Sequence, residues 1–278
     1  MKNILALTDF SPSSINAIKY ALKLFEGDSL SFYILHCKVP DSTYSTAEVI
    51  ASGNVSFYDS LLKDAKDNLD ALIFDLKQNL SIDSISFHPI VAYDNLIDAA
   101  ENVIKTNNIE LSVMGTNGVT NAKEVVFGSN TVKMIRHITD PILAVPLDFK
   151  FRQLNNIALP LHDFDKLSDQ SFKGIVDFIK QYGEMVHVLR ICPEQVVTQE
   201  AKNDSKVLNT LLSPVKFHYH TVQNVPLNHV VDCFIQTHDV DLIMLLVKSE
   251  SIFERFFTGS STTKIANDLR VPLLVFPN

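Results

Sequence analysis

The chain repeats its own pattern about halfway along, and this repeat limits the folds open to it. Residues 140–146 read Asp-Pro-Ile-Leu-Ala-Val-Pro, and residues 271–277, 131 positions later, read Val-Pro-Leu-Leu-Val-Phe-Pro. The same shift of 131 aligns Gly128 with Gly259 and runs for about fifty residues without a gap. A self-match of this length indicates tandem duplication of one structural unit. We therefore predict two domains of the same fold.

The two copies differ in length between their second and third strands. Residues 32–35 match 186–189 at a shift of 154, so 154 − 131 = 23 residues of the first copy have no counterpart in the second. We place most of this surplus in residues 39–55, a polar stretch that predicts a long loop, either a lid or a surface excursion. The predicted domains are residues 1–147 and 152–278.

Short apolar runs alternate with helical patterns along each copy. In the first copy the patterns predict strands at 4–7, 31–36, 86–91, 111–114 and 142–145, and helices at 13–25, 56–79, 96–106 and 130–138. Such alternation is typical of an α/β fold in which helices cover both faces of a parallel sheet. The predicted architecture is two tandem flavodoxin-like domains, each a doubly wound, five-stranded parallel sheet.

Three of the eight glycines and one serine crowd into a single segment of the first copy: Gly115, Gly118, Gly128 and Ser129. A predicted strand runs into this segment, and a predicted helix leaves it. Glycines at such a junction let phosphate oxygens approach bare backbone N–H groups, and the serine hydroxyl adds a donor at the N-cap of the helix. The segment therefore predicts a phosphate-binding loop.

The spacing Gly115-x2-Gly118-x9-Gly128-Ser129 resembles the ATP-binding signature of the universal stress protein family. Residues 3–11 resemble the opening strand of that family with its acidic residue, and residues 140–146 resemble its closing strand. The resemblance covers residues 1–147 and implies that the first domain binds an adenine nucleotide, ATP with Mg²⁺. The chain departs from the family pattern at Asn117, where the family usually carries a basic residue or histidine.

Further residues are candidates for the same ligand site. Asp9 and Cys37 follow predicted strands, so they can converge with Gly115 on one crevice at the carboxyl ends of the sheet. The resemblance implies that Asp9 contacts the adenosine, and its alternative role is an Asx turn or a helix cap. Cys37 and Met114 would form apolar walls for the base, or else belong to the core. Asn130, the first residue of the predicted helix, completes the set.

The second copy has lost most of the loop. The shift of 131 gives these counterparts: Leu246 for Gly115, Ser249 for Gly118, Gly259 for Gly128 and Ser260 for Ser129. A branched side chain where backbone must approach phosphate predicts a degenerate domain with a structural or regulatory role. Binding of one small anion near Lys248, Arg255 and Ser260 is the alternative. The counterpart of Asp9 is His162 without a gap, or Asp163 with one inserted residue.

Composition restricts the partners and the compartment. A formal charge of −8 argues against nucleic acid, which basic surfaces bind. The apolar run from Ile4 to Leu7 stops at Asp9, far short of a secretory or membrane-spanning segment, so we predict a cytoplasmic protein without membrane contact. Three cysteines without Cys-x-x-Cys spacing predict reduced, mostly buried thiols rather than disulfides or a zinc knuckle.

Motifs for catalysis and for metal binding are weak. His218 and His220 share a face if they lie on a strand, but no third ligand stands at a fixed spacing, so an exposed strand face explains them and no metal site is predicted. The sequence has no Gly-x-Ser-x-Gly and no Walker lysine, so no catalytic residue is assigned. A binding protein is the preferred interpretation. A slow ATPase or nucleotide-dependent enzyme, and a structural pseudo-dimer with an empty site, are the alternatives.

The closing strands of the two copies are apolar at nearly every position. Each would lie at the edge of its own sheet, where apolar strands without charges promote aggregation unless they are covered. Members of the resembling family pair through this strand. The pattern therefore predicts that residues 142–145 and 273–276 pack together as an intramolecular pseudo-dimer with approximate two-fold symmetry, and it leaves a further homodimer open.

Overall fold

The fold is taken from a computed structural model that describes residues 2–38, 55–79, 84–116, 128–162, 165–167, 170–192, 199–247 and 270–277. Several residues named above lie outside these ranges: Asn117, Gly118, Asp163, Lys248, Ser249, Arg255, Gly259, Ser260 and the predicted loop at 39–54. The description below concerns the described residues alone.

The described residues form ten strands and seven helices. The strands are β1 (Lys2–Leu7), β2 (Leu30–Cys37), β3 (Ile85–Ala92), β4 (Leu111–Gly115), β5 (Ile142–Val145), β6 (Leu154–His162), β7 (Gly183–Cys192), β8 (Lys216–Gln223), β9 (Leu242–Val247) and β10 (Leu273–Pro277). The helices are α1 (Pro12–Leu24), α2 (Val55–Asn79), α3 (Leu96–Asn107), α4 (Ser129–His137), α5 (Gln170–Tyr182), α6 (Gln199–Leu212) and α7 (Leu227–Thr237). The predicted elements of the first half are confirmed, with every boundary within two residues.

All ten strands belong to one sheet, in the order β3-β2-β1-β4-β5-β10-β9-β6-β7-β8. Every neighbouring pair within each half is parallel. The order of the second half mirrors that of the first, which is the expected result of a duplicated unit. The prediction of an α/β fold with doubly wound, five-stranded parallel sheets is confirmed, and the two sheets are continuous.

The halves meet where β5 and β10 pair antiparallel. Leu274 lies opposite Leu143, and Val275 lies opposite Ile142. All four side chains are at most 1% exposed, so the centre of the sheet is apolar on both faces. Two strands that would each be an unguarded edge therefore cover one another.

Helices cover both faces of this sheet. Side chains of α1, α2, α5 and α6 pack on one face, in a core that continues across both halves. Side chains of α3, α4 and α7 pack on the other face. Local signals in the sequence fix the helix ends: Ser11 caps α1 ahead of Pro12, and Asn95 caps α3, which ends at the left-handed Asn108.

Part of the surplus length of the first half is helical. Helix α2 has 25 residues, whereas its counterpart α6 has 14, a difference of 11. The placement of most of the 23 extra residues in 39–55 stays a prediction, because residues 39–54 lie outside the described ranges. Helix α2 presents a mixed face to solvent, with Phe74 among its exposed residues.

The connection between the halves packs on α1. Asn16 donates hydrogen bonds from Nδ2 to the carbonyl oxygens of Pro146 at 2.9 Å and Phe149 at 3.0 Å. The buried ring of Tyr20 meets Phe151 edge-on, with 5.4 Å between ring centres. Residues that end β5 are thereby held to the first helix, which stabilises the position from which the second half departs.

We predict that Leu274→Lys destabilises the protein by more than about 3 kcal/mol. Loss of a buried leucine costs about 2–5 kcal/mol, and the lysine charge would also lose its hydration. Thermal unfolding and the fraction of soluble protein measure the effect. Thr221→Lys, an exposed site on β8, is the matched control and should change stability by no more than about 0.5 kcal/mol. Equal behaviour of the two variants would contradict a stabilising role for the β5–β10 pair.

Candidate functional site

A tight turn follows β1 and leads into α1. The exposed carboxylate of Asp9 accepts a hydrogen bond from the backbone N–H of Ser11 at 3.0 Å, which is an Asx turn. Ser11 Oγ in turn accepts from the N–H of Ser14 at 3.2 Å and caps the helix. The alternative role considered for Asp9, a local turn, is thus present. It occupies Oδ1, and the exposed side chain can still offer its other oxygen to a ligand.

The charge of Asp9 is stabilised by this turn. Partial burial alone raises the pKa of the Asp9 carboxyl, but hydrogen bonds from Ser11 and Ser14 outweigh burial and lower the pKa below its ordinary value of 3.8. The group is therefore a carboxylate at neutral pH. An exposed carboxylate at the carboxyl end of a parallel strand is suited to accept hydrogen bonds from hydroxyl groups of a ligand.

Two residues that the sequence did not indicate complete the turn. Phe10 adopts a left-handed backbone conformation with φ of 62°, which is uncommon for a bulky residue, and its N–H donates to Thr8 Oγ1 at 3.0 Å. Its ring lies 4.6 Å from the ring of His36, whose Nδ1 contacts the carbonyl oxygen of Thr8 at 2.9 Å. Neither the conformation of Phe10 nor its partner could be inferred from residue spacing.

Gly115 allows β4 and α1 to approach each other closely. A Cβ at this position would lie 2.4 Å from Ser13 Oγ and 2.7 Å from the Ser13 carbonyl carbon. Real side chains do not tolerate such distances, so the glycine is required by helix packing. The reason given by the sequence was access for phosphate, whereas the reason visible in the structure is the position of α1.

The two ends of the glycine-rich loop meet. Thr116 donates its N–H to Val145, and Gly128 donates its N–H to the carbonyl oxygen of Thr116 at 2.6 Å. Thr131 of α4 donates from Oγ1 to the carbonyl oxygen of Gly115 at 3.2 Å. The structure therefore brings Gly128 next to the end of β4 at Gly115. Gly118, between them in the sequence, is outside the described residues.

The N-terminus of α4 opens to solvent beside this closure. The N-cap is Gly128, which supplies no side-chain hydrogen bond to the helix, and Ser129 and Asn130 are exposed. Ser129 is thus the first helical residue rather than the N-cap predicted for it. Uncapped N–H groups of a first turn, together with the helix dipole, favour an anion.

The two apolar candidates differ in character. Met114 is 6% exposed and packs in the core among Leu5, Leu7 and Met134, so its surroundings match the core alternative. Cys37 is half-buried, and burial raises the pKa of its thiol to about 12, with a further contribution from Asp94. A neutral thiol at this edge can form an apolar wall, and it is a poor nucleophile.

In the second half, the matching corner is filled by a buried ion pair. The register of β6 with β7 runs to His162 without a gap, which makes His162 the counterpart of Asp9. Arg190 is fully buried, donates from Nε to Asp204 at 2.8 Å, and reaches the carbonyl oxygens of His162 and Asp165. Tyr219 donates to the same carboxylate at 2.7 Å. In the second half, the Arg190 side chain thus hydrogen-bonds to the backbone at the end of β6. The corresponding end of β1 faces solvent at Asp9.

The three cysteines are all free, as predicted. The prediction that they are mostly buried is only partly correct. Cys192 is buried, Cys37 is half-buried, and Cys233, on α7, is exposed. The period of α7 places Cys233 on its outer face, and the apolar neighbours in sequence belong to the inner face.

The order of the strands defines a doubly wound α/β protein in which the chain order reverses between β1 and β4. The model of the universal stress protein family matches residues 1–146, and the chain belongs to that family. A universal stress protein from Archaeoglobus fulgidus DSM 4304 is similar in structure, with 16% identity over 99% of this chain and 98% of its own, and a TM-score of 0.67.

The same fold occurs in proteins of other kinds. The cytoplasmic domain of a prokaryotic cation chloride cotransporter is 11% identical over 99% of this chain and 94% of its own, with a TM-score of 0.56. Comparison with curated proteins gives no match. Since such low identities define the fold alone, function has to be argued from the residues of the site.

We predict that Gly115→Ala destabilises the protein by about 1–3 kcal/mol, because the new methyl group displaces the start of α1. Urea unfolding measures this change. Gly174→Ala on α5 is the control: there a Cβ meets only the ring of Phe276, at 3.1 Å, and alanine favours the helix by up to about 1 kcal/mol. If Gly115→Ala unfolds like the wild type, close packing of α1 is not the reason for the glycine.

Proposed function

We propose that the chain is a stress-response protein that binds one adenine nucleotide, ATP with Mg²⁺, in its first half. The observation that carries the proposal is the convergence of the Asp9 turn with the exposed N-terminus of α4. Strand β1 lies between β2 and β4, so the chain order reverses between β1 and β4. Open α/β sheets bind ligands at that point, beyond the carboxyl ends of the strands.

Each end of the nucleotide has a suitable partner there. The exposed carboxylate of Asp9 can accept hydrogen bonds from ribose hydroxyls, and the half-buried thiol of Cys37 lies at the end of the next strand. The first turn of α4, with Ser129 and Asn130, offers donors to the phosphates. Gly118, with no Cβ, belongs to the same loop by sequence and allows close approach of phosphate.

The residues present suit Mg²⁺ only as a companion of the phosphates. No group of three His, Cys, Asp or Glu side chains in the described ranges forms a metal cage. Mg²⁺ typically keeps several waters and takes one or two carboxylates together with phosphate oxygens. Since Asp9 is assigned to the ribose, the ligands of Mg²⁺ would be phosphate oxygens of ATP and water.

The second half lacks the features that support binding in the first. Leu246, at the position of Gly115, is 1% exposed and packs in the core. We therefore assign the second half a structural or regulatory role.

The domains proposed are residues 1–147 and 152–278, joined as a pseudo-dimer through β5 and β10. Pairing of these strands, with apolar packing on both faces, supports this arrangement. A charge of −8 and a sequence pI near 5.5 argue against nucleic-acid partners, and the location proposed is cytoplasmic. None of the described helices is long and apolar enough to cross a membrane.

We predict that isothermal calorimetry with Mg²⁺ finds one ATP per chain. At a ligand concentration about a hundredfold above the dissociation constant, ATP should stabilise the native state by roughly 2.7 kcal/mol. Gly118→Val should abolish binding and leave the fold intact, since a β-branched residue blocks phosphate approach. Competition with AMP and cyclic AMP distinguishes the nucleotide.

The duplication supplies a matched control for this experiment. Ser129→Ala should weaken ATP binding, whereas Ser260→Ala, at the corresponding position of the second half, should leave it unchanged. Two equivalents of bound ATP, or equal affinity in wild type and Gly118→Val, would contradict a single site in the first half. Absence of any bound nucleotide would favour the structural pseudo-dimer.

We predict negligible turnover of bound ATP. The sequence has no Walker lysine, and no general base is placed beside the loop by the described residues, so phosphoryl transfer to water lacks its usual assistance. Release of inorganic phosphate from ATP and Mg²⁺ is the measurement. Sustained release that disappears in Gly118→Val would establish the alternative, a slow ATPase using the same crevice.

A further inference from the structure

Four histidines converge on one face of the second half. His187 lies on β7 directly opposite His218 on β8, and His220 follows two residues later on the same strand. His238, just after α7, lies 5.8 Å from His187 between ring centres. Only the pair on β8 could be noticed in the sequence, because the other two come from distant segments.

The ring centres are spaced for a shared ion. His187 lies 5.5 Å from His218 and 5.9 Å from His220, and His218 lies 6.4 Å from His220. A point equidistant from these three centres is about 3.4 Å from each. In a zinc–imidazole pair the ring centre lies about 3.2 Å from the ion, which combines a bond of 2.0–2.1 Å with about 1.1 Å within the ring.

Ring nitrogens of His187 and His220 are also suited to bind an ion. His187 Nε2 lies 3.2 Å from Asn156 Oδ1, an acceptor, so Nε2 carries the proton and Nδ1 keeps its lone pair. His187 Nδ1 and His220 Nε2 are both buried without a hydrogen-bond partner. Metal-binding histidines usually donate their other ring N–H to an oxygen acceptor of this kind, which fixes the tautomer.

The cluster is open to solvent on one side. His218 and His238 are exposed, so an ion can enter from solvent, while Phe234 forms the apolar floor.

The rings are not yet in ligating orientation. The His187 ring lies within 25° of parallel to those of His218 and His220, and as placed no group of three His, Cys, Asp or Glu side chains among the described residues could hold a metal ion. Rotation about side-chain torsions, with the ring centres nearly in place, is what binding requires. Such rotations are inexpensive for the exposed His218.

We propose that His187, His218 and His220 bind one divalent ion of the zinc, nickel and copper class, with the fourth position open to water beside His238. Nitrogen ligands of this kind select late transition metals over Mg²⁺. The first half cannot form the same site, because Tyr33 stands opposite His88 where the second half has His187 opposite His218. The second half would then have a ligand of its own, independent of any nucleotide.

The test is calorimetric titration of the full chain, without a histidine tag and freed of metal by chelation, with Zn²⁺ alone. We expect one equivalent to bind and to raise the melting temperature. His220→Ala should weaken Zn²⁺ binding by at least about tenfold. Asn156→Ala removes the oxygen that accepts from His187 Nε2 and should weaken binding by about 10–100-fold. His88→Ala, exposed on the opposite edge strand in the same register as His218, should leave the affinity unchanged.

Two results would overturn the proposal. One is the absence of saturable Zn²⁺ binding to the wild type at millimolar metal. The other is equal affinity in the wild type and in His218→Ala/His220→Ala, a variant confined to the edge strand and therefore expected to fold, as circular dichroism without metal will check. Replacement of Zn²⁺ by Co²⁺ gives an independent readout, since nitrogen ligation produces visible absorption that the variant should lose.

Discussion

The antiparallel pair formed by β5 and β10 is the contact on which the architecture depends. Each strand is apolar on both sides and would be a hazardous edge if its half folded alone. Their pairing joins two parallel sheets into one and lets a single core on the α1 face run through both halves. The connection that packs on Tyr20 places the second half in register for this pairing.

Much of this fold could be read from the sequence, because periodic burial leaves a periodic pattern. The strands and helices of the first half were predicted within two residues, and the repeat predicted the mirrored order. At the site, residue spacing identified Gly115 and Gly128 as candidates. The positive φ of Phe10 and the clash that Gly115 avoids depend on tertiary packing, which residue spacing does not reveal.

The two halves show how one fold treats the same position differently. At Gly115 the absent side chain admits Ser13 of α1, whereas Leu246, at the corresponding position of the second half, is a full side chain in the core. Where His36 contacts one carbonyl oxygen of the first turn, Arg190 joins two carbonyl oxygens to a buried carboxylate. Removing one partner of a buried ion pair typically costs about 3–5 kcal/mol, because it leaves an uncompensated buried charge.

The antiparallel pairing of β5 with β10 also determines at which edge of the sheet the strands of each half end. Strands of one half run opposite to those of the other, so the carboxyl ends of β1 and β4 and those of β6 and β9 lie on opposite rims of the sheet. A molecule held on one rim is out of reach of side chains on the other. The residues on each rim could therefore diverge between the two copies without affecting a ligand bound at the opposite rim.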